Sequence, residues 1–415
     1  MFRVAVVGGR PAPVAGAREL GIDVVLVHEK GQYDESVEQH CERVVHAPIG
    51  DGPAILEALR PLHEKRPFDR VLTTTEPAGE STGYVVDALG LPGVTQATAR
   101  ALKDKAIMRR LLAERGLSPV RYQVLNSAAE AAAFFEAVGG RIVIKPMDGA
   151  ASLHINDVST ADEAALAWRK LDKAGLSPSL GEEFLDGPVV SVDSFSHAGR
   201  HLPIGYSEYQ MNERFVEWEV STPSRVAAPH LHALRGMTAK LLDAVGLTEG
   251  PSHSEFVLTA DGPRVLESHA RLAGSGAPEL VRRVFGLNLT RMLLTVPLGI
   301  DDLPRVSPEP QRGAAIRFFV PDPGVIRSIV VDEDIPAAVR QVPPGEVPNV
   351  FLPYLDEFRD IEAAVVIAKN PGDVVPPLMT VADCTSGYVL ASGRDADEAV
   401  ARCDELTKRI LFEIG

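Results

Sequence analysis

Glu255 and Glu267 are two carboxylates whose spacing could hold a divalent cation. They lie in strand-like runs on either side of Asp261-Gly262, a dipeptide typical of a hairpin turn. If Leu258 faces Arg264, the same register places Glu255 opposite Glu267. Directly opposed carboxylates repel each other unless a cation lies between them. Oxygen ligands on a rigid hairpin, completed by nucleotide phosphates, are typical of a magnesium site.

The same register assigns the other side chains of the hairpin to two faces. Alternation with period 2 places Phe256 opposite Leu266 on the core side and leaves the polar residues on the other face. Two alternatives stay open for that polar face. The carboxylates could pair with Arg271 or with lysines on a solvated surface. With His253 and His269 they could instead bind zinc or another transition metal.

Two lysines and one acidic segment could complete a nucleotide site. Lys145 closes an apolar run and precedes the small-residue loop 148–153, an arrangement in which ammonium and amide groups can meet phosphate oxygens. No Walker sequence occurs in the chain. Lys105, in a helical segment, is a second candidate cation. The segment 182–185 could form a strand edge whose backbone contacts adenine while a glutamate accepts from the adenine amino group.

The elements around these groups predict an N-terminal α/β region. Short apolar runs alternate with helical patterns up to about residue 95, which favours a parallel sheet. The turn at Gly8-Gly9 lacks the spacing of a dinucleotide-binding fingerprint. The predicted strands are Val4–Val7, Ile22–Val27 and Val71–Thr75, and the predicted helices are Pro13–Leu20 and Gly83–Leu89.

The rest of the chain predicts a second α/β block, a mixed region and an α+β C-terminal part. The second block covers about residues 120–185, and a Pro-rich stretch at 304–310 marks a boundary. Predicted helices are Arg100–Arg115, Leu231–Val245, Leu280–Thr295 and the terminal Ala396–Ile414. Predicted C-terminal strands are Ala314–Val320, Val325–Val331, Ala363–Ala368 and Tyr388–Ser392.

Composition narrows the class of protein. The chain has 415 residues and a net charge of −15, and an acidic surface disfavours nonspecific binding to nucleic acid or anionic membranes. Its 3 cysteines form no CxxC pair, so we expect neither a disulfide framework nor a cysteine zinc site. The run Val4–Gly9 is too short for a secretory signal, and no apolar run reaches the roughly 18 residues of a membrane span. We therefore expect a cytoplasmic protein.

One rival string could carry hydrolase chemistry. The sequence from Gly79 to Gly83 matches G-x-S-x-G with Ser81 at its centre. The preceding strand ends near Thr75, too early for a tight nucleophile elbow, so we expect a loop here.

Taken in order, these features resemble the ATP-grasp superfamily, and within it the L-amino-acid ligases that make dipeptides. The segments that match the superfamily are 104–105, 144–146, 182–185, 254–255 and 267–271. The likeness to the dipeptide ligases rests on 252–255, 267–274 and 284–287, and segments 314–319 and 386–393 resemble the closing domain of carboxylate–amine ligases. The resemblance covers essentially the whole chain. It implies a pre-ATP-grasp α/β domain at 1–98, an ATP-grasp region at 99–300 with a lid at about 118–185, and an α+β domain at 301–415.

The resemblance also implies roles for individual residues. Two groups depart from the family pattern: His269 stands where many relatives have Asn, and Val189 stands where a ribose-binding carboxylate is common. The implied nucleotide-binding residues are Lys105, Lys145, Gly149, Ser152, Glu182, Glu183, Phe184 and Leu185; the metal ligands are Glu255 and Glu267; the catalytic residues are Arg271, Glu217 (with Glu219 as the competing choice) and His269.

The implied activity is ATP-dependent joining of an amino-acid carboxylate to the amine of a second amino acid. The implied cofactor is Mg²⁺ or Mn²⁺, and the expected partners are small molecules, with a homodimer by analogy and with neither nucleic acid nor membrane. Four alternatives stay open: a carboxylase using bicarbonate, a non-catalytic ATP-binding module, a zinc hydrolase, and a serine hydrolase built on Ser81.

Overall fold

The N-terminal region forms a parallel α/β unit, as its alternating pattern predicts. A computed structural model of the chain describes residues 1–9, 11–149, 153–344, 354–355 and 357–415. Four parallel strands lie in the order β3-β2-β1-β4, with apolar residues buried on both faces. The elements are β1 (Arg3–Val7), α1 (Pro11–Glu19), β2 (Asp23–His28), β3 (Arg43–His46), α2 (Gly52–Lys65), β4 (Arg70–Thr73), α3 (Gly79–Leu89) and α4 (Gln96–Lys103).

The second block is a separate four-stranded antiparallel sheet, in the order β5-β8-β6-β7, with two helices against it. It holds the lysine strand β6 next to the acidic strand β8. The elements are α5 (Lys105–Glu114), β5 (Tyr122–Leu125), α6 (Ala128–Val138), β6 (Ile142–Pro146), β7 (Asn156–Val158), α7 (Ala161–Lys173) and β8 (Ser179–Glu183).

A nine-stranded sheet forms the centre of the molecule, in the order β13-β12-β9-β10-β11-β14-β19-β17-β16. Strands of the C-terminal part thus continue the sheet that carries the predicted hairpin. The elements of its first half are β9 (Val189–His197), β10 (Arg200–Met211), β11 (Glu217–Thr222), α8 (Leu231–Val245), β12 (Gly250–Thr259), β13 (Gly262–His269), α9 (Ala277–Phe285) and α10 (Leu289–Thr295).

The C-terminal part adds a small three-stranded sheet, in the order β18-β15-β20, beside the large one. Across the described residues, no helix is both long enough and apolar enough to cross a membrane. The elements are β14 (Gly313–Phe318), β15 (Gly324–Val331), β16 (Ala338–Gln341), β17 (Ala363–Ile367), β18 (Val374–Val375), β19 (Gly387–Gly393), α11 (Ala396–Thr407) and β20 (Ile410–Ile414).

Three helix predictions were wrong in their extent. The segment 100–115 is two helices, because the Asp104 side chain accepts from the amides of Ala106 and Ile107 and starts a new helix. The segment 280–295 is likewise two helices, and Asn288 caps the second. The terminal helix ends at Thr407, and the last residues form β20, which pairs with β15.

The stretch that matches G-x-S-x-G is also different from the expectation of a loop. Gly79 begins α3, so Ser81 lies in the first turn of a helix. Its side chain is buried, and its hydroxyl donates to the carbonyls of Ile49 and Ala78. The hydroxyl is thus bonded to backbone carbonyls next to the start of this helix, and a nucleophile elbow does not form.

Candidate active site

A cleft of about 330 Å³ opens between the second sheet and the nine-stranded sheet. It collects residues that are far apart in sequence, from the start of α5 to the hairpin β12–β13. The predicted site residues that line it are Lys105, Lys145, Gly149, Glu182, Glu183, Phe184, Leu185, Glu217, Glu255 and Glu267. Ser152 lies outside the described residues.

The hairpin brings the two predicted metal ligands face to face. Glu255 pairs directly with Glu267 across β12 and β13, as the sequence predicted. The predicted register is wrong beyond that pair, because a β-bulge makes Phe256 pair with Val265. Leu266, expected in the core, therefore faces the cleft. The bulge ends the regular register beside the carboxylates.

Each of these glutamates has a histidine beside it. His253 Nε2 lies 3.4 Å from Glu255 Oε1, and its Nδ1 lies 2.9 Å from Asp193 Oδ1. His269 Nε2 lies 3.1 Å from Glu267 Oε1, and its Nδ1 lies 3.4 Å from Glu76. Both ring nitrogens of each histidine therefore meet carboxylates, which favours a carboxylate site for a hard cation over a zinc site.

Lys105 reaches the cleft from the first position of α5. Its Nζ lies 3.0 Å from Glu267 Oε2 and donates to the carbonyl of Gly149 at 2.8 Å. Burial opposes its charge, but the Glu267 carboxylate outweighs that effect and raises the Lys105 pKa. The ammonium group therefore stays protonated between the Glu267 carboxylate and the Gly149 carbonyl.

A buried ion cluster holds Lys145. Its Nζ lies 2.6 Å from Glu182 Oε2, and Arg109 Nε donates to the same carboxylate. Burial opposes ionisation of Glu182, but Arg109 and Lys145 lower its pKa to about 2. Glu182 is thus engaged by two cations, which orient the lysine beneath the cleft. The sequence predicted only an adenine contact for this glutamate.

The segment after β8 forms the apolar end of the cleft. Glu183 accepts from the side chain of Arg121 at 2.8 Å and from its backbone amide at 2.9 Å. Arg141 lies over the ring of Phe184, 3.6 Å from its centroid. Leu185 and Val189 line the cleft nearby. The apolar side chains Val143, Ile155, Leu185 and Val189 thus line the cleft together with the ion-paired Glu183.

Glu217 is the acidic residue of β11 that faces the cleft. Burial and then the negative charge of Glu255 raise the Glu217 pKa to about 8. The competing choice, Glu219, instead receives hydrogen bonds from Arg317, 2.5 Å from its Nε, on the neighbouring strand β14. The geometry therefore favours Glu217 as the carboxylate nearest a substrate.

Arg271 connects the hairpin to the N-terminal unit. Its Nε donates to Glu76 Oε2 at 2.8 Å, and Glu76 lies in a short 3-10 helix that follows β4. Burial opposes ionisation of Glu76, but His269 and Arg271 lower its pKa to about 2. The carboxyl end of the parallel sheet, where ligands of α/β sheets commonly bind, thus contacts the end of the hairpin that carries Glu267.

Arg109, which is 1% exposed, was not predicted as a site residue from the sequence. It lies four residues after Lys105 in α5, and this spacing places both cations on one helix face. The aromatic and sulfur side chains of Tyr209, Met211 and Phe215, which line the cleft, were not predicted either. Only the i, i+4 spacing was a usable signal, because apolar residues of a pocket resemble those of a core.

The chain matches several known proteins at low sequence identity. The chain is 23% identical over 385 residues to the alanine–anticapsin ligase of Bacillus subtilis (strain 168), and the matched region covers 81% of each chain. It is 25% identical over 309 residues to the uncharacterized protein y4rH of Sinorhizobium fredii (strain NBRC 101917 / NGR234), covering 72% of this chain and 63% of that relative. The chain thus spans just under two thirds of the length of y4rH.

The fold and the family are both shown. The structure of an L-amino acid ligase from Bacillus licheniformis superimposes with a TM-score of 0.77 at 22% identity, covering 100% of this chain and 99% of that one. Family models described as the ATP-grasp N-terminal domain and the ATP-grasp domain match residues 14–93 and 138–279, together more than half of the chain. The chain belongs to the ATP-grasp family.

Proposed function

We propose that this protein is an ATP-dependent ligase that joins the carboxylate of one amino acid to the amine of another and releases ADP and phosphate. The observation that carries the proposal is the convergence of two lysines and two opposed glutamates at one end of the cleft, with Glu217 beside them. The similarity to amino-acid ligases supports this substrate class.

The residues that line the cleft support one orientation of the nucleotide. Its base would lie against the segment from Glu183 to Leu185, and its phosphates would lie near Lys105 and Lys145. Both lysines are buried against carboxylates, so their ammonium groups are already oriented. Preorganised cations stabilise the charge that develops on transferred phosphoryl groups.

The residues at the hairpin fit a magnesium ion. Among the residues that the structure describes, no three His, Cys, Asp or Glu side chains form a complete metal site. Two opposed carboxylates with phosphate oxygens nearby are the donor set that Mg²⁺ takes in nucleotide sites. Glu255 and Glu267 would hold the ion, which when bound supplies positive charge to the phosphate oxygens.

The proposed reaction has two steps. A carboxylate oxygen of the first amino acid attacks the γ-phosphorus, the bond to the ADP oxygen breaks, and an acyl phosphate forms. The neutral amine of the second amino acid then attacks the acyl carbon, the bond to phosphate breaks, and the amine loses a proton. Arg271 would neutralise the acyl phosphate and the tetrahedral intermediate.

A phosphate-release screen tests the proposal. Pairs of amino acids are supplied with ATP and Mg²⁺, and the product is identified by its mass. We expect ADP and phosphate only when both a carboxylate and an amine substrate are present. Glu267→Gln should abolish turnover by removing a metal ligand, while Asp261→Asn, an exposed change at the turn of the same hairpin, should leave turnover unchanged.

Two outcomes would contradict the proposal. Near-normal turnover of Glu267→Gln would exclude this site, and ADP release that depends on bicarbonate would indicate a carboxylase. The domain boundaries, the cytoplasmic location and the homodimer stay predictions.

A further inference from the structure

A buried carboxylate–histidine pair lies behind Glu255. The imidazole Nδ1 of His253 lies 2.9 Å from Asp193 Oδ1, and the Asp193 and His253 side chains are 2% and 7% exposed. Strand alternation explains the placement: Val190 and Val192 of β9 pack into the core, so Asp193 faces the opposite side. β12 pairs with β9 and sets His253 directly beside Asp193.

The pair fixes which way His253 faces. With Nδ1 held by Asp193, Nε2 points toward the cleft, 3.4 Å from Glu255 Oε1 and 3.5 Å from the hydroxyl of Tyr209. The second carboxylate oxygen, Asp193 Oδ2, is buried and has no hydrogen-bond partner in the described part of the chain. A buried oxygen without a partner destabilises the fold, so simple packing does not account for a carboxylate here.

The same arrangement occurs on the other strand of the hairpin. There His269 lies between Glu267 and Glu76. Each predicted metal ligand therefore has a histidine against one of its oxygens and a second carboxylate behind that histidine. Groups behind the ligands orient them, and their loss weakens metal binding about 10- to 100-fold.

We propose that Asp193 and His253 are positioning residues for Glu255. Asp193 sets the orientation of the imidazole, and the imidazole holds one oxygen of Glu255 so that the carboxylate is aimed at the divalent cation. This inference rests on the proposed Mg-ATP site. The hydrogen bond between Asp193 and His253 carries the effect, and neither residue is among those that line the cleft.

Binding of Mn²⁺ tests the role directly. Free Mn²⁺ is measured by its EPR signal with ATP alone and with ATP plus the full-length protein, no amino acid being added, so that Mn²⁺ held by ATP in solution is subtracted. We expect Asp193→Ala to raise the dissociation constant for Mn²⁺ at least tenfold, because the imidazole loses its anchor. Asp193→Asn keeps an oxygen acceptor at the same place and should stay within about threefold of the wild type by the same reasoning.

A second histidine pair provides the matched control. His201 Nε2 lies 3.2 Å from Asp243 Oδ1 and its Nδ1 lies 2.7 Å from Ser196, away from the cleft. His201→Gln should leave Mn²⁺ binding unchanged. Should Asp193→Ala fail to fold, His253→Leu removes the same link and should show the same loss.

The outcomes separate this inference from the proposed function. Wild-type protein that binds no Mn²⁺ with ATP would overturn the site itself. Wild-type binding with unchanged binding in Asp193→Ala would overturn only the positioning role. Binding of ADP in EDTA should be equal in all variants, and a parallel loss there would show a general structural effect and overturn the inference.

Discussion

At the scale of single residues, the cations in and near the cleft all pair with carboxylates but differ in their exposure to solvent. Lys145 and Arg109 share the buried Glu182, and both are less than 6% exposed. Arg271 pairs with Glu76, and both side chains are 21% exposed. Arg271 is therefore the most exposed of these three cations, and we expect it to be the one that a substrate recruits.

Replacement of Arg271 tests this difference. Arg271→Gln should lower kcat about 100- to 1000-fold, the usual cost of losing one group that stabilises the transition-state charge, while Mg-ATP affinity stays nearly unchanged. Single-turnover ADP formation and a titration with ATP measure the two effects. Arg264→Gln, on the exposed part of the same hairpin, is the control. An equal loss of Mg-ATP affinity would assign Arg271 to nucleotide binding instead.

The residues differ in how readily the sequence predicts them. The opposition of Glu255 and Glu267 was predicted from a register in which Leu258 faces Arg264. Leu258 instead pairs with Pro263, and a β-bulge brings the two glutamates back into the predicted pairing. The bulge that turns Leu266 into the cleft was not predicted, because one extra residue in a strand leaves no mark in the hydrophobic pattern of the sequence. Asp193 was also missed, because its partner His253 comes from another strand.

At the scale of elements, the position of Lys105 depends on where α5 begins. Asp104 accepts from the amides of Ala106 and Ile107 at 2.9 and 3.0 Å. The Lys105 amide donates to the carbonyl of Met147, so the start of this helix is bonded to the loop after β6. A helix cap thus places an ammonium group in the cleft.

Loss of that cap should affect both stability and nucleotide binding. Asp104→Ala should lower the free energy of unfolding by about 1 kcal/mol, because two helix amides lose their acceptor. The KM for ATP should rise as the start of α5 frays. Urea unfolding and initial rates measure the two effects. Asp104→Asn should retain the cap, and an equal loss in that variant would contradict this explanation.

Element boundaries were the weakest part of the sequence prediction. The pattern of 100–115 is helical throughout, so only the capping tendency of Asp104 marks the break. β20 follows α11 after two residues, and its apolar alternation was absorbed into the helix prediction. The predicted helix Leu231–Val245 was confirmed at both ends. Its C-terminal end is marked by Gly246, which adopts a left-handed conformation.

At the scale of the whole molecule, one sheet carries both the site and the C-terminal part. β11 holds Glu217 at the cleft and pairs with β14, which belongs to the C-terminal part. Arg317 of β14 donates to Glu219 of β11 and also contacts Asp404 of α11. The cleft wall and the C-terminal helix are thus joined by one partly buried arginine.

That arginine should contribute far more to stability than the more exposed Arg312, which directly precedes β14. In the pair Arg317–Glu219 the side chains are 11% and 2% exposed, whereas in Arg312–Glu362 they are 34% and 59% exposed. Arg317→Met leaves a buried carboxylate without its cation and should lower the free energy of unfolding by about 3–5 kcal/mol. The matched change Arg312→Met should cost at most about 1 kcal/mol. Chemical denaturation measures both, and similar losses would show that burial does not set the strength of this link.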